Sequence, residues 1–353
     1  MEILTKKLNK LNLCFTVTVG LLAYSFASKA TIMTVNNAGA GQYADLNTAY
    51  IAANVGDTLL ISGSANEYSI TGNWAKNLVV IGSGFNSSKQ VFKEVKFGPL
   101  SFTTTSGSRF LGIHFINQFI FGASLDSLYF ESCRFEETVS ASSTMTVTSL
   151  SFVNCLFRYV GAGASIPNIN FSVIHANSVL FSHCIFNGSI IGSNNTRVFD
   201  VTFDHCVFLK QNNFLLLVYN AVVSNSIIYN SSTLGTVYNS AFNNNLSRLS
   251  ISNGWASNGN TSTHDTDAVD PLFVNVPLVG NYSTTWDFHL QNGSPAIGWD
   301  SNGSDAGLHD ITSSFDEAGE AQNIPVIRQM ILQTATVPQN GSVTVKVRST
   351  KSR

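Results

Sequence analysis

Charged side chains are scarce in this sequence of 353 residues. Lysine and arginine together number 19, aspartate and glutamate 21, so that charged residues make up 11% of the chain and its formal net charge is -2. Soluble domains usually have about a quarter of their residues charged. Nucleic-acid binding needs a basic stripe or patch, and the small, balanced charge argues against such a partner. Solubility must therefore come from asparagine, serine and threonine.

Long apolar runs are lacking beyond residue 30, so nothing after that point is long enough to span a bilayer. Residues 1–30 carry an early group of lysines, an apolar stretch over residues 11–27, and small residues at Ser28 and Ala30. This order is typical of a cleaved secretory signal and predicts a secreted or cell-surface protein with no membrane span after cleavage. An uncleaved membrane anchor is the alternative.

Cysteine is rare as well, and its placement is regular. One of the five cysteines lies in the predicted signal, and each of the other four lies in a copy of a single motif. The copies follow one another at intervals of about 20 to 30 residues, a period that indicates a solenoid. They are Leu128-Tyr-Phe-Glu-Ser-Cys-Arg-Phe135, Leu150-Ser-Phe-Val-Asn-Cys-Leu-Phe157, Val179-Leu-Phe-Ser-His-Cys-Ile-Phe186 and Val201-Thr-Phe-Asp-His-Cys-Val-Phe208.

The motif predicts two short strands joined by a bend. Apolar residues alternate with other residues as in a strand, two residues interrupt the alternation, and Cys-x-Phe follows. In the first copy, Leu128, Phe130, Cys133 and Phe135 would all face inward. The segments between motifs are rich in asparagine, serine, glycine and β-branched residues, which are poor helix formers. This composition favours an all-β parallel β-helix over a leucine-rich repeat.

Stacked coils would place equivalent side chains above one another at about 4.8 Å intervals. The predicted structural ladder therefore consists of a phenylalanine stack and a column of thiols. In-register parallel strands orient neighbouring cysteines poorly for a disulfide, so we expect buried free thiols, with disulfides as the alternative. No Cys-x-x-Cys pair suggests a zinc site. The ladder residues are Phe135, Phe157, Phe186 and Phe208 with Cys133, Cys155, Cys184 and Cys206.

Three further stretches resemble one protein family. They are Asp270-Pro-Leu-Phe-Val274, Asp287-Phe-His-Leu-Gln-Asn-Gly-Ser-Pro-Ala-Ile297 and Asp305-Ala-Gly307. Together with the repeat, they resemble the closing coils of secreted bacterial (Bacteroidetes-like) β-helix proteins of the pectate-lyase-like superfamily, choice-of-anchor type. The resemblance covers about residues 31–320. It implies a right-handed parallel β-helix, and it extends to enzymes that cleave polysaccharides with a basic residue and calcium, or with aspartates.

The predicted organisation has four parts. Residues 1–30 form the signal peptide, and residues 31–75 form an N-terminal cap with a short helix and the first strands. Such a cap would cover the open edge of the first coil. Residues 76–320 form the parallel β-helix, and residues 321–353 form a tail that contains a C-terminal β-hairpin.

One outward-facing row suggests a catalytic site. The residues just before the cysteines include His183 and His205, one coil apart, with Asp204 beside them. A neutral histidine next to a carboxylate can act as a base, so these three residues are the candidate catalytic set. A polar ladder of turn residues without catalytic function is the alternative.

The row just after the cysteines is apolar for four coils. Leu156, Ile185, Val207 and Ile227 would form a shallow apolar strip, which does not suit an anionic sugar. An exposed strip of this kind needs a cover, so we expect either a loop of the chain or a partner to lie on it.

The densest acidic cluster offers a possible metal site. Asp265, Asp267 and Asp270 could supply oxygen ligands to calcium, and the sequence indicates no other cofactor. Two functions compete. The first is a non-catalytic protein that contacts extracellular glycans or a cell-surface partner through its polar flank. The second is a polysaccharide lyase or glycoside hydrolase that acts on an acidic polysaccharide, an inference by analogy with the superfamily.

Overall fold

The computed structural model describes most of the chain after the predicted signal. Residues 1–29 lie outside the described part, and so does the predicted signal peptide apart from Ala30. The described residues are 30–88, 95–98, 100–103, 106–158, 167–192, 199–211, 213–278, 282–300, 302–310, 314–322, 324–332 and 345–351.

Residues 32–266 wind into a right-handed parallel β-helix, which confirms the predicted fold class. The longest of its sheets, sheet 1, contains the first short strand of each motif. Neighbouring strands pair in parallel, coil upon coil. Its strands are Ile32–Val35, Thr58–Ile61, Val79–Ile81, Arg109–Leu111, Leu125–Asp126, Tyr129–Glu131, Met145–Val153, Ile174–Ser182, Phe199–Asp204, Val222–Ser224, Ala241–Asn243 and Thr261–Thr263.

Two further parallel sheets complete each coil. Sheet 2 contains the strand that follows each motif cysteine, and its strands are Lys96–Phe97, His114–Phe115, Arg134–Phe135, Leu156–Phe157, Ile185–Phe186, Val207–Phe208, Ile227–Ile228 and Leu246–Ser247. Sheet 3 closes the coil, and its strands are Leu100–Phe102, Phe119–Phe121, Val139–Ala141, Ile169–Asn170, Ile190–Ile191, Leu215–Tyr219 and Gly235–Tyr238. A 3-10 turn over Ser257–Gly259 precedes the last coil strand.

The core of the solenoid is an aromatic stack, as the repeat predicts. The rings of Phe135 and Phe157 lie 5.0 Å apart with planes within 6°, and Phe157 stacks equally on Phe186. A second, parallel stack follows the sheet 1 position, where Phe152 lies 4.9 Å from Phe181. Parallel offset rings contribute about 0.5–1.5 kcal/mol per pair beyond the burial of their surface. The two stacks therefore fix the register of successive coils.

The four motif cysteines lie in this core as fully buried free thiols. Each sulfur lies near a carbonyl oxygen of the preceding coil, as Cys184 Sγ does with Phe152 O at 3.4 Å. Burial raises the pKa of the Cys133, Cys155 and Cys184 thiols well above the usual value because an apolar core disfavours the thiolate.

An N-terminal cap covers the first coils. The helix Leu46–Ala52 starts at Asp45, whose carboxylate accepts a hydrogen bond from Thr48 N at 2.7 Å. Its buried face includes Tyr50, whose ring packs 4.8 Å from Trp74. Lys76 Nζ donates to three carbonyl oxygens at the helix C-terminus. No helix among the described residues combines the length and apolarity that a membrane crossing requires.

The chain leaves the coil after Thr266, which still pairs in parallel with Leu246 of sheet 2. The described part of residues 267–322, here called the return segment, runs back along the outside of sheet 2. It contains one antiparallel pair of strands, Phe273–Asn275 with Asp287–Leu290. The sequence resemblance placed closing coils here, but Tyr282 N donates to Asn187 Oδ1 and Phe85 N donates to Ala318 O, contacts with coils far earlier in the chain.

The return segment is the cover that the apolar strip requires. The strip packs against apolar residues of the return segment in a second core outside the coil. The members of this core are Phe85, Leu156, Ile185, Val207, Leu209, Ile227, Tyr229, Leu246, Phe273, Tyr282, Trp286, Phe288, Ala296, Ala306, Leu308 and Phe315. Burial of the apolar strip against the return segment explains why this part of the chain folds back.

The tail forms the predicted C-terminal hairpin. Strands Pro325–Leu332 and Val345–Lys351 pair in antiparallel register, and residues 346–349 are exposed.

Candidate functional site

A row of residues with left-handed backbone conformation runs along the edge between sheets 1 and 2. Each of these residues precedes the inward-facing position that the cysteines occupy in four coils. His183 and His205 have φ of 52° and 51°, and Asn154 and Asn225 have φ of 53° and 51° in the coils on either side. A single residue in this conformation bends the chain between two strands whose alternate side chains face the coil interior. It also directs the side chains of the row away from the coil interior.

His183 and His205 stack on each other as equivalent positions of adjacent coils. Their ring centroids lie 4.9 Å apart and the ring planes differ by 6°. His183 N donates to Asp204 O at 3.0 Å and His205 N donates to Ser224 O at 3.1 Å, so the parallel ladder holds both backbones in place. The two residues are 6% and 5% exposed. They point outward from the coil but lie beneath the return segment.

Each imidazole has a polar group at its Nδ1 atom. Ser182 Oγ lies 2.8 Å from His183 Nδ1, and Asp204 Oδ2 lies 3.1 Å from His205 Nδ1. Asp204 is itself held, since its Oδ1 accepts hydrogen bonds from Ser224 Oγ and Asn225 Nδ2, both at 2.9 Å. The Nδ1 side of each ring is thus occupied, and the Nε2 side faces the return segment.

The return segment brings two more carboxylates to the Nε2 side. Asp310 Oδ2 lies 3.4 Å from His183 Nε2 and 3.6 Å from His205 Nε2. Asp300 Oδ2 lies 3.6 Å from His205 Nε2. The other oxygen of Asp300 accepts from the backbone amides of Asn302 and Ser304, and these bonds fix the loop that presents it.

These residues line a cleft of about 440 Å³ between the solenoid and the return segment. This volume is within the range of about 300–1,000 Å³ that is usual for small-molecule sites. The solenoid supplies half of the wall and the return segment supplies the other half. The lining residues are His183, Asp204, His205, Asn225, Asp300, Asn302, Ser304 and Asp310.

The charges in the cleft push the two imidazoles in opposite directions. Burial alone would lower the pKa of His205, but the carboxylates of Asp204, Asp310 and Asp300 outweigh burial and raise it. Burial lowers the pKa of His183, and the neighbouring charge of His205 lowers it further against the attraction of Asp310. The pKa of Asp204 is lowered because hydrogen bonds and the charge of His205 outweigh its burial. The cleft therefore favours the charged form of His205 and the neutral form of His183.

The structure brings the three predicted catalytic residues together in this cleft. His183, Asp204 and His205 lie next to one another as the coil period predicts, and their catalytic role stays a prediction. Sequence reasoning missed Asp300 and Asp310, which lie in a region without the repeat. Two signals pointed towards them: the apolar strip needed a cover, and Asp300 and Asp305 bracket a polar turn.

The structure does not bring the predicted calcium ligands together. Asp265 accepts from Asn245 N at 2.8 Å, Asp267 from Ile251 N at 2.8 Å and Asp270 from Leu272 N at 2.9 Å, so each carboxylate fixes a different piece of backbone. In the described part of the chain, ligand atoms of three or more such residues converge within 4.8 Å at two other places. These are His183 with His205 and Asp310, and Asp287 with His289 and Glu317.

No protein-family model and no curated protein matches this sequence. Two solved structures have a similar fold. A pectin methylesterase from Aspergillus niger is 13% identical with a TM-score of 0.43, over 74% of this chain and 95% of that one. The pectate lyase Pel9A is 16% identical with a TM-score of 0.43, over 81% of this chain and 98% of that one. Similarity at this level has no bearing on the chemistry of the cleft.

Proposed function

We propose that this chain is a secreted or cell-surface β-helix protein that binds neutral glycans in the cleft between the return segment and the edge where sheets 1 and 2 meet. Its predicted signal sequence, residues 1–30, supports export. The observation that carries the proposal is the lining of the cleft, where carboxylates, amides, a hydroxyl and two imidazoles face one concave space.

The lining suits a polyhydroxylated ligand. Sugar hydroxyl groups donate to carboxylates and accept from amides, and planar groups of both kinds are present as Asp300, Asn225 and Asn302. Asp204 and Asp300 already accept hydrogen bonds from the protein, which orients their carboxylate groups before a ligand binds. Such prior ordering reduces the entropy lost on binding.

The charge of the cleft favours a neutral glycan over an acidic one. Its lining contains three aspartates, and no lysine or arginine is among the described residues that form it. A lyase that acts on uronates needs a basic residue near the sugar carboxylate. Arg134 and Arg158, on earlier coils, instead pair with Glu136, and Arg248, on a later coil, donates to Tyr229 O and Asn230 Oδ1. This arrangement does not support an acidic polysaccharide as the substrate.

Hydrolysis of a bound neutral glycan is a second candidate function. It is supported by the position of Asp300 and Asp310, whose carboxylates both lie 3.6 Å from His205 Nε2. Glycoside hydrolases use pairs of carboxyl groups in one cleft. Release of reducing ends from a glycan that binds would separate this candidate from binding alone.

A glycan array with the chain from residue 31 onward tests the proposal. We expect neutral glycans to bind and uronate polymers not to bind. An Asn302→Trp variant places a large side chain at the exposed wall of the cleft and should weaken binding by about tenfold or more, equivalent to about 1.4 kcal/mol.

Asn292→Trp is the matched control, since Asn292 is an exposed asparagine of the return segment outside the cleft lining. It should bind like the unmodified chain. A preference for acidic glycans, or equal binding by the two tryptophan variants, would overturn the proposal.

A further inference from the structure

We propose that His183, His205 and Asp310 form a binding site for one divalent transition-metal ion of the zinc class. The site lies at the floor of the cleft. The metal site goes beyond glycan binding and does not depend on glycan binding. Four features of the structure support the metal site.

The first feature is that the ligand atoms lie at the separations found around one bound ion. Asp310 Oδ2 lies 3.4 Å from His183 Nε2 and 3.6 Å from His205 Nε2, and Asp300 Oδ2 lies 3.6 Å from the same His205 nitrogen. A tetrahedral ion with bonds of about 2.0–2.1 Å holds its ligand atoms about 3.3–3.5 Å apart. The ligand atoms of His183, His205 and Asp310 already lie within 4.8 Å of one another, so small rotations of these three side chains would bring them to one ion.

The second feature is that both imidazoles are oriented with Nε2 towards the proposed ion. Metal-binding histidines use one ring nitrogen for the ion and commonly have a hydroxyl, carbonyl or carboxylate at the other. Here Ser182 Oγ lies at His183 Nδ1 and Asp204 Oδ2 at His205 Nδ1. Both Nε2 atoms are thereby left for the ion. In the bound form, the Nδ1–H groups donate to these oxygens and the Nε2 lone pairs bind the metal.

The third feature is that the Nε2 atom of His205 is buried and unpaired. His205 is only 5% exposed, yet its Nε2 atom has no hydrogen-bond partner. Its neighbours are three carboxylates within 3.6 Å. Buried polar atoms without partners are rare in folded proteins, and metal binding is one established reason for them.

The fourth feature is that histidine occupies two positions whose left-handed backbone conformation is energetically unfavourable. A left-handed conformation costs a residue other than glycine about 1–2 kcal/mol, and asparagine tolerates it best. Asparagine fills the equivalent positions Asn154 and Asn225 in the flanking coils, whereas His183 and His205 stand between them. Strained residues of this kind cluster at functional sites.

The donor set indicates the class of ion. Calcium and magnesium prefer oxygen ligands, whereas imidazole nitrogen suits zinc, copper, nickel and iron. Two imidazoles and one carboxylate therefore favour zinc-class ions. This chemistry also distinguishes the site from the calcium cluster predicted at residues 265–270.

Metal binding is measured on the chain from residue 31 onward, after treatment with a chelator and dialysis. Calorimetric titration with Zn²⁺ should give one tight site per chain. Titration with Co²⁺ should give the visible absorption of a nitrogen- and oxygen-ligated ion. His183→Asn and His205→Asn should each weaken Zn²⁺ binding by about 100-fold or more, because asparagine suits the backbone but removes a ligand.

His264→Asn is the matched control. His264 has φ of 56° in the same row, and its ring stacks on Trp299 outside the cluster. This variant should bind Zn²⁺ like the unmodified chain. Asp204→Asn should have an intermediate effect of about tenfold, since Asp204 orients His205 without binding the ion.

Three outcomes would overturn the proposal. One is the absence of a stoichiometric Zn²⁺ site, which would leave the cluster as an ion-pair network. Another is a site that survives in His205→Asn and is lost in His289→Asn, which would assign the ion to the group around Asp287 and Glu317. The third is equal weakening by His264→Asn. Glycan binding by the chelator-treated chain separates failure of this inference from failure of the proposed function.

Discussion

At the scale of single residues, the row of left-handed positions decides both the fold and the site. It needs residues that tolerate positive φ, and glycine, serine, asparagine or histidine fills it in successive coils. Asparagine and serine there are explained by the turn alone. Histidine tolerates positive φ less well than asparagine. Two of the three histidines in this row, His183 and His205, line the cleft.

Asn154 tests the backbone requirement of this row. It has φ of 53° and is fully buried, and neither polar atom of its side chain has a hydrogen-bond partner. Asn154→Gly should change the free energy of unfolding by less than about 1 kcal/mol, because glycine adopts positive φ freely. Asn154→Val should cost about 1–3 kcal/mol, because a β-branched residue is strained there. Denaturant unfolding of both variants measures the difference, and equal stabilities would refute the argument.

The thiol column gives a second prediction at this scale. Burial raises the pKa of Cys133, Cys155 and Cys184, and the thiolate is the reactive form. In the chain from residue 31 onward, we expect all four cysteines to resist an aromatic disulfide reagent until the protein is unfolded. Ser143→Cys, at an exposed turn, should react at once and serves as the positive control. Rapid reaction of the unmodified chain would contradict the prediction.

At the scale of elements, the strands after the cysteines have two kinds of outward surface. The later coils are apolar and pack against the return segment, whereas the earlier coils carry a charged group around Glu136. His114 Nε2 lies 3.0 Å from Glu136 Oε1, Arg134 pairs with the same oxygen, and Arg158 lies 3.6 Å from it. Tyr282 of the return segment lies within the electrostatic reach of this group, and burial raises its pKa to about 12.

Glu136 should make stability depend on pH. Burial opposes its ionisation, but the hydrogen bond from His114 and the charges of Arg134 and Arg158 outweigh burial and lower its pKa. A carboxyl with a lowered folded-state pKa stabilises the protein above its unfolded pKa of about 4.3, and this contribution disappears as the pH falls through the lowered value. Melting temperatures between about pH 6 and about pH 3 should therefore fall less steeply for Glu136→Gln than for the unmodified chain.

Glu137→Gln is the control for this measurement, since Glu137 is the exposed neighbour of Glu136. Its pH profile should follow that of the unmodified chain. A Glu136→Gln profile that also does so would show that the charged group contributes nothing measurable to acid stability.

The elements also show what sequence reasoning could and could not predict. Cys133, Phe135, His183 and His205 were predictable because each repeats at the coil period, and a period fixes which residues become neighbours. Asp310 was not predictable, because the return segment has no period and its path depends on packing against the apolar strip. The apolar strip predicted that another element would cover it, but it did not indicate which residues would do so.

At the scale of the whole molecule, the return segment changes how the solenoid is stabilised. In a simple solenoid each coil contacts only its neighbours, so stability is a sum of local terms. Here Gln322 N donates to Glu131 Oε1 and Asn86 Nδ2 donates to Glu317 O, which ties the end of the return segment to early coils. Loss of these contacts should weaken early and late coils together.

A substitution at Gly319 tests the contacts between the end of the return segment and the early coils. It has φ of +69°, and a side chain on its backbone would overlap the ring of Phe85. Gly319→Ala should lower the melting temperature and increase hydrogen exchange over residues 314–322. Gly293→Ala is the matched control, because Gly293 has φ of +85° with open space around it. Its exchange over residues 314–322 should be unchanged, and equal exchange in both variants would show that close packing at Phe85 does not hold the segment.

The path of the return segment also sets the order in which the cleft is assembled. Synthesis proceeds from the amino terminus, so every coil emerges before Asp300 and Asp310 do. A partly emerged chain can wind its coils and stack its histidines, but the opposite wall has yet to arrive. The cleft is consequently completed last, and a molecule shortened before residue 300 would have less stable coils and only one wall of the cleft.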